Sequence, residues 1–118
     1  MPFKFEKLEI LKLAIEFADD VHLLTRKFQK EEIFSLTSQF KRAADSISLN
    51  IAEGSIGQSD AEQRKFIGYS IRSVSECVNC LYLSERRKYI AHEEFTLLYR
   101  RSEELFAKMN KFRSSLRS

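Results

Sequence analysis

Residues 36–54 read LTSQFKRAADSISLNIAEG, and the spacing inside this stretch decides the fold. Leu36, Phe40, Ala43, Ile47 and Asn50 recur at intervals of four, three, four and three, so they share one face of a helix. That face is apolar except for Asn50. Ala44, Ser48 and Ala52 lie four apart on a neighbouring row, where side chains this small let a second helix approach closely. Gly54 reads as the stop at the C-terminal end. Lys41 and Arg42 fall away from both rows, while Asn50 and Glu53 lie on adjacent turns within reach of each other. Two roles are open for Asn50: a core amide that satisfies a helix end or a neighbouring side chain, as buried polar groups normally do, or a binding contact. Glu53 divides the same way, between pairing with a basic residue and a functional role, because charged side chains are seldom buried without a partner.

Outward from this segment the helical period repeats. Over residues 6–30, Ile10, Ala14, Phe17, Val21, Leu24 and Phe28 keep the alternation of four and three, with Leu11, Ile15 and Ala18 on the adjoining row. Such a stripe is wide enough to touch more than one neighbour. Asp19 and Asp20 fall on its polar side and read as surface. Ser35 stands where a cap for the next helix belongs. Downstream, Ser55-Ile56-Gly57-Gln58 forms a connection, and Ser59 with Glu62 makes a capping box for a helix over 60–87. That helix carries Ile67, Ile71, Val74, Val78 and Leu81 on one row and the small residues Ser70, Ser73, Cys77, Cys80 and Ser84 on the next, a close-contact seam expected to meet the Ala44, Ser48 and Ala52 row. Arg86, Arg87 and Lys88 close it, complementing the helix dipole. Phe95, Leu98, Ser102, Leu105, Met109, Phe112 and Leu116 mark a last helix over 93–116. Long amphipathic helices with short connections predict an all-α, antiparallel up-down-up-down four-helix bundle, with residues 1–118 as one domain.

Composition agrees with that reading. Three glycines and one proline in 118 residues leave too few turn residues for a sheet protein. Phe3 and Phe5 are interrupted by Lys4, Glu6 and Lys7, so no secretory leader is expected, and no run approaches the roughly 18 apolar residues of a membrane span. The expected compartment is the cytoplasm. Cys77 and Cys80 form a C-x-x-C inside a helix, and the two histidines, His22 and His92, lie on other segments. A structural zinc site needs two further ligands, so the cysteines read as small buried residues. No serine, cysteine or carboxylate stands in a context that would activate it. The expectation is no catalytic residue, no metal, no cofactor and no small-molecule substrate.

Leu36-Thr37-Ser38-Gln39, Arg42-Ala43-Ala44, Ser46-Ile47 and above all Asn50-Ile51-Ala52-Glu53-Gly54, followed by Ser59, Glu62, Phe66, Ser73, Glu76 and Tyr89-Ile90, resemble a known signature. It is that of the four-helix-bundle proteins encoded in intervening sequences of bacterial large-subunit ribosomal RNA genes. Within it Gln39, Arg42, Asn50, Glu53 and Gly54 stand out. The resemblance covers nearly the whole chain and implies a ring of five subunits, like the related accessory proteins of diversity-generating retroelements. Two positions depart: Ser48 stands where the family usually has proline, which implies a straighter second helix, and Lys88 where it usually has glycine, which bears on how the third helix ends.

The charge balance is 20 basic against 17 acidic residues, and the basic excess falls from Leu36 onward. One chain's excess is too slight for a dedicated nucleic-acid binder, but an oligomer repeats it around one rim. The expected function is non-enzymatic: a homo-oligomer that binds structured RNA through its phosphates. The candidate contacts are Lys41 and Arg42, Arg64 and Lys65, and Lys108, Lys111, Arg113 and Arg117. Leu13, Leu23, Leu49, Leu83, Leu97 and Phe106 lie outside the principal stripes, apolar surface that self-association would share. The alternative is a protein-protein scaffold or the accessory subunit of a nucleic-acid-handling protein such as a reverse transcriptase, docked through the Asn50 and Glu53 region.

Overall fold

The computed structural model describes residues 3–57 and 59–117; Gln58, in the connection before the third helix, lies outside them. Four α-helices fill that span: α1 Glu9–Thr25, α2 Leu36–Ser55, α3 Asp60–Arg86 and α4 His92–Ser115. Single 3-10 turns at Lys4–Lys7 and Lys30–Glu32 precede α1 and α2, and no strand occurs among the described residues.

Cross-helix contacts fix the directions. Along α1 and α4, Glu9 pairs with Lys108, Asp20 with Arg101 and Lys27 with Glu94, so numbers rise on one helix as they fall on the other. Arg64 reaches Arg113 while Tyr82 packs on Phe95, which sets α3 against α4. Ser46 meets Ser73 while Gly54 meets Phe66, which sets α2 against α3. Three antiparallel pairs in series make α1 antiparallel to α2 as well. The bundle is therefore up-down-up-down, with α4 closing on α1. It measures 43 × 23 × 23 Å, its long axis set by the 27 residues of α3 at about 1.5 Å each. Phe17, Phe40, Ile47, Ile51, Ile67, Leu81, Leu105 and Met109 are fully buried on the axis, and each large apolar side chain so placed contributes about 1.5–3 kcal/mol.

The first helix is shorter than its apolar pattern over 6–30. Leu8 is extended, with φ −77° and ψ 127°, which separates the Lys4–Lys7 turn from α1. At the other end the Thr25 hydroxyl donates to the Val21 and His22 carbonyls at 2.9 and 3.2 Å, and the chain tightens into i to i−3 bonds through Arg26 and Phe28. Phe28 still reaches the core and stacks 5.0 Å from Tyr89. The apolar period outlasts the helix because a turn can present the same side chain.

The small row of α3 is buried and does meet α2. Ser70 donates to the Ile47 carbonyl at 2.8 Å, and Ser73 and Ser46 share a bond of 2.5 Å. On α2, however, the contact comes from Ser46, Ile47 and Gly54, where spacing pointed to Ala44, Ser48 and Ala52. That second row turns towards α1, since Asp45 on its side takes His22 at 2.9 Å. The helix ends at Ser55, one residue past Gly54, as the glycine stop indicated. A Cβ at Gly54 would stand 2.6 Å from the Phe66 Cβ, so the glycine lets two backbones touch. Ser48, in the place of the proline, leaves α2 unbroken and donates to the Asp45 carbonyl at 3.3 Å.

The helix ends show how each segment is stopped. Ser59 accepts from the Glu62 N–H at 3.2 Å, as a capping residue should. Ser35 does not cap α2. Its hydroxyl donates to Glu32 at 2.7 Å, and Glu32 accepts the Leu36 N–H at 3.4 Å. At the end of α3, Lys88 N–H bonds the Glu85 carbonyl and Tyr89 N–H the Ser84 carbonyl, both at 2.9 Å. This is a Schellman motif, which needs a left-handed residue at its centre. Lys88, at φ 63°, is the one non-glycine residue with positive φ among those described.

Candidate nucleic-acid interface

Antiparallel packing divides the eight candidate cations into two places. Lys41 and Arg42 lie in the first half of α2, one half-buried and one exposed. Arg64, Lys65, Lys108, Lys111, Arg113 and Arg117 gather at the opposite end, where α3 begins beside the last turns of α4.

Three of those six are engaged within the chain. Arg64 Nη1 donates to the Arg113 carbonyl at 2.7 Å and the Leu116 carbonyl at 3.4 Å, capping α4 from a neighbouring helix. The half-buried Arg113 lays its guanidinium over Gly68, 3.6 Å from where a Cβ would be, and its Nε has no partner among the described residues. Lys108 donates to Glu9 at 2.7 Å and lies 3.7 Å from Glu104. That bond holds the Glu9 carboxyl below its ordinary range and raises the Lys108 ammonium. Lys65, Lys111 and Arg117 remain exposed. The Lys65 ammonium sits 5.9 Å above the Phe66 ring, and the Arg117 backbone N–H donates to Asp60 at 3.0 Å.

Lys4 and Lys7, both exposed in the N-terminal turn, join this end because α1 starts against the last turns of α4. Sequence reasoning missed them. Their contribution depends on the closure of α1 on α4, which no local spacing signals.

The signature residues lie elsewhere. Gln39, Arg42 and Ser46 line a shallow polar groove with Glu76 between α2 and α3. Asn50 is half-buried and donates to the Ser46 carbonyl at 2.9 Å, so its amide is satisfied within its own helix. Glu53 is exposed. Cys77 and Cys80 are buried and unpaired, and burial pushes the Cys80 thiol up to about 11 and Cys77 higher still. Both stay protonated at neutral pH and are poor nucleophiles. No group of three or more histidine, cysteine or acidic residues fit to hold a metal occurs among the described residues, and none of the helices is long and apolar enough to cross a membrane.

A model of the 23S rRNA-intervening sequence protein family matches residues 6–111. The chain belongs to that family. A solved structure supports the same architecture: a protein of unknown function from the S23 ribosomal protein family of Bacteroides thetaiotaomicron superposes with a TM-score of 0.80 at 23% identity, covering 90% of this chain and 99% of the other. At that identity the likeness establishes the fold. No curated protein matches the sequence significantly. As a 23S rRNA-intervening sequence protein, the chain keeps Gln39, Arg42, Asn50, Glu53 and Gly54 on α2, with Gln39, Arg42 and Glu53 exposed, Asn50 half-buried and bonded within its own helix, and Gly54 in close contact with Phe66 of α3.

Proposed function

We propose that the protein is a non-enzymatic, self-associating bundle that binds structured RNA in the cytoplasm through backbone phosphates. The observation that carries this reading is the gathering of exposed Lys4, Lys7, Lys65, Lys111 and Arg117 at one end of the bundle. Cations clustered on one rim raise the local potential more than the same charges spread out, and a ring of five, as the family resemblance implies, would repeat the cluster five times. Lys41 and Arg42, on the far half of α2, belong to a different surface.

A specific observation favours the scaffold as a second reading. Leu23 and Leu97 stay exposed along the α1–α4 groove, and Tyr99 and Phe106 line a largely apolar α3–α4 groove of about 410 Å³. Tyrosine and phenylalanine are enriched where proteins dock.

Retention of a structured RNA across a salt series separates the two. Reversing Lys65 and Lys111 to glutamate leaves the Arg113 guanidinium packed over Gly68, which reversal of Arg113 would remove. The double variant should bind more weakly, with a salt slope flatter by about one for each phosphate no longer neutralised. Absence of RNA retention at low salt, or equal retention by the variant, would discard the phosphate reading for the scaffold.

A further inference from the structure

Phe34 stands clear of the bundle. It is 96% exposed, where no other large apolar side chain among the described residues exceeds the 66% of Leu49, and its ring pairs with no other aromatic ring among them. The turn that carries it is braced on both sides. Glu32 accepts from the Ser35 hydroxyl and the Leu36 N–H beyond Phe34, and from Arg87 and Tyr89 of the α3–α4 connection. The Ser35 N–H donates to the Glu32 carbonyl at 3.0 Å. A ring held outward in this way meets a flat partner at little cost in ordering.

The surroundings of the ring are basic. Phe34 lies at the end of the bundle where α1 and α3 finish and α2 and α4 begin, opposite the end that gathers Lys65, Lys111 and Arg117. Arg26 follows α1, Lys30 opens the turn, Arg86 ends α3 and Lys88 lies in the connection after it. All four are exposed, and none forms an ion pair among the described residues. Within 26–35 and 86–93 only Glu31 and Glu93 are exposed acids left unpaired in the same sense. Lys41 and Arg42 follow in the first half of α2, on the side of the molecule nearer this end.

A free aromatic ring among unpaired cations matches the chemistry of an unpaired nucleotide, whose base offers a π-face to the ring and whose flanking phosphates meet the cations. A base inside a continuous duplex offers no such face, because its stacked neighbours cover it. We propose that Phe34 is a stacking platform for an unpaired base of the bound RNA, with Arg26, Lys30, Arg86 and Lys88 meeting the phosphates on either side. The inference rests on the reading that the protein binds structured RNA, and adds a second contact that favours loops and bulges over uninterrupted duplex. Every base has a π-face, so the preference is for unpaired nucleotides and not for a sequence.

The chain has no tryptophan, so Phe34→Trp places a single indole at the site. Titration of the full-length variant with a hairpin RNA that carries an unpaired loop should quench the indole, and a fully paired duplex of equal length should leave it unchanged. Phe34→Ala should weaken hairpin binding by about ten-fold and leave duplex binding unaltered, both read by fluorescence anisotropy. Its salt slope should stay that of wild type, since no charge is removed, whereas Arg26→Glu/Lys30→Glu should flatten it. The ring contributes nothing to the core, so Phe34→Ala should keep the wild-type thermal midpoint. An unquenched indole in the bound hairpin, or equal hairpin affinity for wild type and Phe34→Ala, overturns the inference while the phosphate reading stands on wild-type retention. If Phe34→Ala leaves hairpin affinity unchanged but lowers the mass seen by light scattering or abolishes binding to phosphatidylserine vesicles, the ring docks on a second copy or a lipid surface and the inference falls. If wild type binds neither RNA at low salt, the RNA reading fails and takes the inference with it.

Discussion

Glu32 accepts the Tyr89 hydroxyl at 2.8 Å, which joins the turn before α2 to the turn after α3. The same carboxylate takes Arg87 at 3.2 Å, the Ser35 hydroxyl at 2.7 Å and the Leu36 N–H at 3.4 Å. One acid therefore caps α2 and ties it to the α3–α4 connection, a role that spacing had given to Ser35. The hydrogen bonds from Ser35 and Tyr89 hold the Glu32 carboxyl below its ordinary 4.5, and the bond to Glu32 raises the Tyr89 phenol above its ordinary 10.0.

The sign of the pH dependence follows from those two directions. Glu32 has a lower pKa folded than unfolded, so its contribution is present above about pH 4.5 and is lost as pH falls through the depressed value. Glu9 and Glu94, lowered by their bonds to Lys108 and Lys27, act in the same sense. Tyr89 has a higher pKa folded, so its contribution is complete below pH 10.0 and is lost as pH rises through the raised value. Glu32→Gln should lower the urea midpoint at neutral pH and lose part of the acid limb. Tyr89→Phe should lose the alkaline limb instead. Urea midpoints measured from acid to alkaline pH check both, and a Glu32→Gln profile parallel to wild type would refute the assignment.

Lys88 holds a backbone conformation that costs an L-residue about 1–2 kcal/mol, at the position where a Schellman motif usually has glycine. Lys88→Gly should stabilise the protein by about 1 kcal/mol, the released strain being partly offset by the freer unfolded chain. Lys88→Ala relieves nothing, because alanine carries the same Cβ. Denaturant titration should show a higher midpoint for glycine alone, with an unchanged slope.

The arrangement of the core was legible because Phe40, Ile47, Leu81 and Met109 follow the helical period, and period needs no tertiary knowledge. The end of α1 was not, because Phe28 keeps the period through a turn that Thr25 starts with its hydroxyl. The face of α2 that meets α3 was also misjudged: small residues line two of its rows, and only the packed bundle decides which row is in contact. Among the candidate site residues the misreadings have one cause. Arg64, Lys108 and Arg113 look like free cations in sequence, and each meets a group 45 or more residues away in the fold: the Arg113 carbonyl, Glu9 and Gly68.

Gly54 and Gly68 should respond oppositely to the same substitution. Both are helical, so alanine gains about 1 kcal/mol of helix propensity at either. At Gly68 the new Cβ meets nothing nearer than 3.6 Å, and Gly68→Ala should be neutral or stabilising. At Gly54 it would stand 2.6 Å from the Phe66 Cβ and 3.4 Å from the Gln63 carbonyl. Relief requires α2 and α3 to separate, an overpacking cost of about 1–3 kcal/mol. Gly54→Ala should therefore be a net destabilisation, read as a lower thermal midpoint. Equal midpoints for the two variants would mean that the crossing is looser than its geometry.

Arg64 offers the sharpest separation of structure from binding. Its guanidinium donates to the Leu116 carbonyl and to the Arg113 carbonyl, which also accepts the Leu116 N–H at 3.1 Å, and a charged donor at a helix end is worth about 1.5–3 kcal/mol. Arg64→Gln should lower stability by about 2 kcal/mol and speed amide exchange in the last turns of α4. Arg64→Lys should recover little, since one ammonium does not reproduce the planar fork. At a temperature where the variant is folded, RNA retention should change less than in the Lys65 and Lys111 reversal, because the guanidinium is already spent on backbone. A variant with wild-type stability and lost retention would reverse that assignment and place Arg64 at the RNA.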